Sequence, residues 1–311
     1  MKNVSITARL LEKSCSSLKN KSMFNLMKKS RFRFILFTLT WVMVWLGACA
    51  QEKEIGKQFV QNAAGFNIQL FTLNSLYKNN HKGEVIPGFD SLSPAQQDSA
   101  LWFSSSFIQH VDDSLYLVTY VNNFIDEIRA LGFKVYLDTS LVGFLKGQSQ
   151  SYVVNIAQVE LDEYYYAYED KEQFGDSVYY KNVSLNAVDA SSWFELSKLN
   201  AEKPVKTVLY SAFTATDALD GRFYNNPFSG EVIYSYKIDS LKLTDIYDLA
   251  AYSGKKHASF LFDFFMNQYI AYHMPEGIDM RGSFHYNRFR KSIVREDEEQ
   301  FEILESRGGS K

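Results

Sequence analysis

Five histidines, His81, His110, His257, His273 and His285, carry the side chains suited to proton transfer or metal ligation near neutral pH. A metal site wants two of them one helical turn apart, or one near a carboxylate at a fixed spacing. His81-x-x-Glu84 approaches that pattern, but in a stretch of turn-forming residues. His257 stands beside Lys255 and Lys256 with no nucleophile in view, so a hydrogen-bonded structural role is expected for it. The carboxylates Asp162, Glu163, Glu169, Asp170, Asp176, Asp189 and Glu195 cluster in one region. Glycoside hydrolysis needs two acids at a set separation across a cleft; a solvated strand edge is the plainer use of these. Asp217-Ala-Leu-Asp220-Gly221 lacks the alternating oxygen ligands and terminal glutamate of a calcium loop and reads as a turn. Tyr164-Tyr-Tyr-Ala-Tyr168 could stack sugars, with strand packing as the competing use. Met280–Val294 has no acid, and with Arg295 the segment holds five basic residues among Phe284, Tyr286 and Phe289. Such a pattern can suit single-stranded nucleic acid. The acidic run Glu296-Asp-Glu-Glu299 opposes that, and a self-paired arm is expected. P-loop, G-x-G-x-x-G, G-x-S-x-G and H-E-x-x-H patterns are missing, so no catalytic, cofactor-binding or metal-ligating residues are assigned.

Cysteine and charge narrow the setting. The two cysteines are Cys15 and Cys49, so nothing after Cys49 can form a disulfide or a thiolate centre. Residues 1–48 hold nine of the 33 Lys/Arg and one of the 36 acids, Glu12; the remaining 263 residues carry 24 basic and 35 acidic groups, a net −11. A body this acidic repels nucleic acid and anionic surfaces, and no nucleic-acid partner is expected.

Lys28, Lys29, Arg31 and Arg33 precede the apolar run Phe34–Gly47, the layout of a secretory signal peptide. The leader has an ordinary length counted from Met23 or Met27, which marks residues 1–22 as an over-extended start and 23–48 as the signal. Leu46-Gly47-Ala48-Cys49 resembles the lipobox of bacterial lipoproteins, with Gly47 a departure from the commoner residue. The resemblance implies a diacylglycerol on the Cys49 thiol and cleavage before it. Two other fates stay open. Ala48-Cys49-Ala50 also fits an A-x-A cleavage site, and the 18 uncharged residues Phe34–Gln51 are just long enough to span a bilayer uncut. Residues 49–65 begin with Ala50-Gln-Glu-Lys-Glu54 and read as a tether; the acids resemble in part the surface-export signal of Bacteroidetes-type lipoproteins.

The elements of the mature chain follow. Alternation predicts a strand at Phe66–Leu73 and turn chemistry predicts loop over Asn79–Pro94. Asp112 and Asp113 can cap a helix carrying Val118, Val121, Ile125 and Ile128, stopped at Gly132. A strand at Phe133–Leu137 and a short helix capped at Asp138-Thr139-Ser140 and ended at Gly147 come next. Strands are then expected at Tyr152–Leu161, Val183–Val188, Val205–Phe213 and Glu231–Ile238. The last two enclose an elaborate loop with Asp220-Gly221, Asn225-Asn226-Pro227 and Ser229-Gly230. Asp245–Tyr272 is Pro-free and apolar on two sides: Ile246, Leu249, Ala250, Phe260, Leu261 and Phe264 form one stripe, and Phe262, Phe265, Tyr269 and Tyr272 another. A helix of this kind packs between a sheet and a further element.

The expected fold is α+β: one domain over 66–275, a mixed sheet with a long C-terminal helix and a second helix packed on it, then an arm and charged tail at 276–311. Phe133–Glu163 followed by Val183–Trp193 is loosely similar to the α/β accessory domains of the TolB N-terminal and CsgG type. Tyr152–Glu160, Asn186–Leu196 and Phe262–Ile270 resemble uncharacterised Bacteroidetes envelope lipoproteins. These resemblances imply a lipid-anchored envelope protein of the outer membrane, facing periplasm or surface, with a non-catalytic accessory or partner-binding body. A hydrolase of glycan or envelope polymer and a surface glycan-binding module are the alternatives.

Overall fold

The computed structural model describes residues 51–137, 140–145, 150–199, 206–275, 277–278, 280, 282–296 and 300–307. The leader with Leu46, Gly47, Ala48 and Cys49, the cap residues Asp138 and Thr139, and Gly147 lie outside these.

The fold is α+β. Residues 51–62 form helix α1, followed by β1 (Phe66–Phe71), β2 (Tyr77–Asn80), α2 (Pro94–Ser104), α3 (Asp113–Ala130), β3 (Lys134–Tyr136) and α4 (Leu141–Leu145). Two long strands come next, β4 (Gln150–Phe174) and β5 (Ser177–Lys198), then β6 (Lys206–Thr216), β7 (Ala218–Asn225) and β8 (Val232–Asp239). The long helix α5 (Leu243–His273) precedes β9 (Ser283–Asn287), β10 (Ser292–Glu296) and β11 (Glu302–Arg307).

Seven strands build a mixed sheet in the order β11-β6-β5-β4-β1-β3, with β2 also on β4. β1 pairs in parallel with residues 150–155 of β4, and β2 with residues 160–163, so the two share one edge of that strand. The pairs β4–β5, β5–β6 and β6–β11 are antiparallel. A register shift between Ile156 and Gln158 leaves Ala157 as an extra residue. Such a bulge resets alternation: Val154 and Ile156 before it, and Val159 and Leu161 after it, are all buried in the core. The apolar run beginning at Tyr152 therefore marks one buried face interrupted by a bulge.

α1, α3 and α5 cover the inner face. Asp112 caps α3 by accepting the Leu115 N–H at 2.8 Å, and Gly132 closes it at φ 104°, as expected. The buried stripe of α3 is rotated from the aliphatic one: Tyr116, Leu117, Tyr120, Phe124, Ile125 and Ile128 point inward while Val118 is exposed. α5 lies between α3, the sheet and β9, in accord with its two apolar sides. A Cβ on Gly254 would meet the Tyr120 carbonyl oxygen at 2.3 Å, so the two helices touch through bare backbone.

Three expectations are corrected. Residues 51–62 are no tether: Phe59 is fully buried, 4.8 Å from the Phe66 ring and 5.2 Å from Phe262, and the apolar positions Ile55 and Phe59 justify a helix one turn apart. The C-terminal arm is part of the body, because Phe284 and Phe301 enter the core and β11 extends the sheet; its β9–β10 hairpin is self-paired, as expected. Asp220-Gly221 lies in strand β7, where a Cβ would collide with the Tyr234 hydroxyl at 1.9 Å, and the glycine makes room for a cross-strand ring.

Candidate functional site

Beyond residue 163, β4 and β5 leave the body as a two-stranded arm. Gly175-Asp176 turns it, with glycine at φ 59° in the first loop position, the requirement of a type II′ turn. At the arm's root lies a buried ion pair that sequence reading missed. The resetting of alternation at Ala157 turns Glu163 inward, fully buried, where it had been expected on a solvated edge. Lys82, in the predicted loop, donates to Glu163 Oε1 at 2.6 Å and to Asn186 Oδ1 at 2.9 Å. The chain after α2 curls its donors around the same carboxylate: Ser105 Oγ at 2.7 Å and the N–H groups of Ser106, Phe107 and Ile108 at 2.8–3.1 Å. Burial pushes the Glu163 pKa up, but Lys82, Ser105 and the backbone donors outweigh it and hold the carboxyl below its ordinary value. The Lys82 ammonium also lies 4.6 Å from the Tyr165 ring and 5.6 Å from Phe107. Asn186 passes the network on to Asp217 Oδ2, whose other oxygen accepts the Leu241 N–H at 2.7 Å. Asp217 is thus a clamp between β5, β7 and the start of α5, and not the first residue of a turn. With its oxygens so engaged, Glu163 has nothing left for a substrate.

A second buried carboxylate has an open side. Asp263 on α5 accepts His285 Nδ1–H at 2.6 Å on Oδ2 and the Tyr286 N–H at 2.8 Å on Oδ1. One turn along, Asn267 pairs with both the N–H and C=O of Phe284 at 2.9 Å. Two helix side chains therefore dock the edge of β9 as a neighbouring strand would. Burial pushes the Asp263 pKa up against the pull of His285. The hydrogen bond to Asp263 pushes His285 up, aided by Glu296 and opposed by burial and Lys256. The His285 side chain keeps 23% of its exposure and borders a cavity of about 540 Å³ with Tyr210, Ser211, Lys256, Glu296 and Glu302. Nδ1 is committed to Asp263, so Nε2 is the nitrogen available there, an arrangement that can orient a base.

The other histidines have plainer roles. His257 is fully buried with Nδ1 2.9 Å from the Tyr120 hydroxyl, and burial lowers its pKa to about 3, so it is a neutral core residue. His81 meets Asp162 at 3.0 Å on the surface, and His273 lies on the Tyr269 ring. No group of three His, Cys, Asp or Glu is arranged for a metal among the described residues. Of the remaining carboxylates, Asp189 accepts the Tyr164 hydroxyl at 3.0 Å and Glu195 pairs with Lys206.

The tyrosine run splits between faces. Tyr164 lies on the outer face with Asp189, and Tyr165 on the inner face over Lys82, so consecutive rings give no single stacking platform. On the outer face of the arm the β7–β8 hairpin is tied down by the Tyr234 hydroxyl on Asp170 and by Lys181 over the Tyr236 ring. Burial and Asp170 push the Tyr234 pKa up to about 12, which keeps that hydroxyl a donor. Tyr165, Tyr166, Tyr180, Tyr224, Phe228 and Tyr236 remain exposed on this double hairpin.

Among the described residues no helix is long and apolar enough to cross a membrane. No protein-family model matches the chain, and no curated protein is similar to it.

Proposed function

We propose that this chain is an envelope lipoprotein, held on a bacterial outer membrane by lipid on Cys49, whose body is a non-catalytic module that holds its aromatic arm out to a protein partner. The observation that carries the reading is the arm. Residues 164–174 of β4 extend it by about 35 Å at the usual strand rise, with tyrosines exposed along its length. Aromatic rings presented on a rigid scaffold are the residues that anchor protein interfaces. The buried clamp of Lys82, Glu163, Asn186 and Asp217 at its root supports the same use, since it stiffens the joint between body and arm.

Two experiments test it in the native membranes. Labelled palmitate should enter the parent chain and not a Cys49→Ser variant; equal labelling would remove the anchor from the reading. A photo-cross-linking residue at Tyr180 should give a discrete adduct, and the same residue at Gln61 on α1 should not. An adduct from Gln61 alone would place the partner elsewhere and overturn the role of the arm.

One observation favours a second reading, a hydrolase of envelope polymer: the Asp263–His285 pair with Nε2 beside a cavity. Polymer turnover abolished by His285→Gln would establish it.

A further inference from the structure

We infer that the turn of the β9–β10 hairpin, Arg288-Phe289-Arg290-Lys291, is a foot that rests on an anionic lipid surface. Phe289 is 89% exposed at the apex, with the Arg288 guanidinium 5.2 Å from its ring. The turn is built to hold that side chain out: Asn287 accepts the Arg290 N–H at 2.9 Å, and Lys291 takes φ 46°. Arg288 is partly neutralised by Glu127 at 3.1 Å, whereas Arg290 and Lys291 are exposed and make no ion pair among the described residues. A ring between cations is the composition that binds the headgroup boundary, with the ring entering the interface and the charges meeting anionic headgroups.

A second hairpin tip serves as an internal control on this argument. Phe228 at the β7–β8 turn is 98% exposed, yet its neighbours run Asn225-Asn226-Pro227 before it and Ser229-Gly230-Glu231 after it. Both tips expose a phenylalanine; one is cationic and the other is not, so charge complementarity singles out Phe289.

Placement adds an independent argument. α3 begins near the arm's root, where Lys78 bridges Asp113 beside β2, and its last turn carries Glu127, the partner of Arg288. The basic tip therefore lies at the end of the body away from the arm. Ile293, two residues past Lys291, packs on α1 at Gly56, where an added Cβ would meet its Cδ1 at 2.7 Å. α1 is described from Gln51, two residues after Cys49. The foot is thus tied to the helix that follows the lipid-bearing position, and it rests on the anchoring reading for its orientation though not for its chemistry.

The net charge of −11 in residues 49–311 does not forbid this contact. Screening confines each charge to about 8 Å at physiological ionic strength, so acids on the distant arm are not felt at the tip. The body's charge keeps it off the bilayer, and the foot fixes which end faces down.

The test uses the full chain purified from its own membranes, with Phe289→Trp as the probe. It is mixed with vesicles of phosphatidylcholine alone or of phosphatidylcholine with phosphatidylglycerol, each with brominated acyl chains, and flotation and fluorescence quenching are both read. The expected result is quenching beyond that of the parent with phosphatidylglycerol vesicles, weakened by salt and lost in an Arg290→Glu, Lys291→Glu variant. Flotation on both vesicles with no added quenching overturns the foot and leaves the anchor standing. Flotation and quenching with phosphatidylglycerol alone support the foot and count against the anchor. No flotation on either overturns both.

Discussion

Glu163 and Asp263 are both buried carboxylates with a basic side chain 2.6 Å away, yet they stand in different circumstances. Glu163 is enclosed by an ammonium, a hydroxyl and three backbone N–H groups, and its pKa falls. Asp263 has a histidine and one backbone donor, with a lesser contribution from the Gln300 side chain, and its pKa rises. Burial is common to both, so the difference lies in the number of donors aimed at the charge. The enclosed carboxylate can serve as a structural clamp alone. The less satisfied one shares its proton with a histidine that touches solvent, and so responds to its surroundings.

The sharpest way to break the comparison is Lys82→Met, which leaves an uncompensated charge in the interior. It should destabilise the fold by about 3–5 kcal/mol, a fall in Tm of roughly 10 °C for a body of this size by calorimetry. Adding Glu163→Leu should not return that loss, because it leaves the Ser105 hydroxyl and the N–H groups of Ser106, Phe107 and Ile108 without their acceptor.

Asp263→Asn should have a smaller effect, about 1–3 kcal/mol in denaturant titration, because the amide still accepts one hydrogen bond. Its signature is local: the Tyr286 amide should exchange faster, and the His285 pKa should fall toward about 6.5 by NMR. Unchanged titration of His285 would refute the coupling.

The two sites should also respond to pH in opposite senses. The Glu163 pKa is lowered by folding, so its contribution is present above its ordinary value and lost as pH falls through the lowered one. The His285 pKa is raised, so its contribution is full below about 6.5 and lost as pH rises through the raised value. Glu163→Gln should therefore flatten the acid limb of a Tm profile, and His285→Gln the limb above neutrality. Flattening of the same limb by both would show that the sites are not independent. The mildest expected change is Tyr165→Leu, which removes a ring from Lys82 and should shift stability by about 0.5–1 kcal/mol in the same titrations.

Legibility in the sequence followed the range of the interaction. The Asp112 cap, the Gly132 stop and the long unbroken helix α5 were readable because each depends on neighbours within a turn or two. α1 was misread because Gln, Glu and Lys surround its two anchors, Ile55 and Phe59, and their value appears only against Phe66 and Phe262. One signal of the candidate site was available. Asp263 interrupts Phe260-Leu-Phe-Asp-Phe-Phe265, and a lone acid in an apolar helix face requires a partner. Lys82 gave no such signal, since nothing around it distinguishes it from a solvated loop lysine.

By itself, then, the sequence determined the α+β composition, the capped helix α3, the self-paired basic hairpin and the acidity of residues 49–311, all properties of local pattern and of counting. Tertiary structure alone decided that Glu163 faces inward, that Lys82, 81 residues distant along the chain, comes within 2.6 Å of it, and that His285 reaches Asp263. The physical reason is the same in each case. Pairing of buried charges is a long-range property, and a single bulge at Ala157 was enough to exchange the faces on which all later residues of β4 reside.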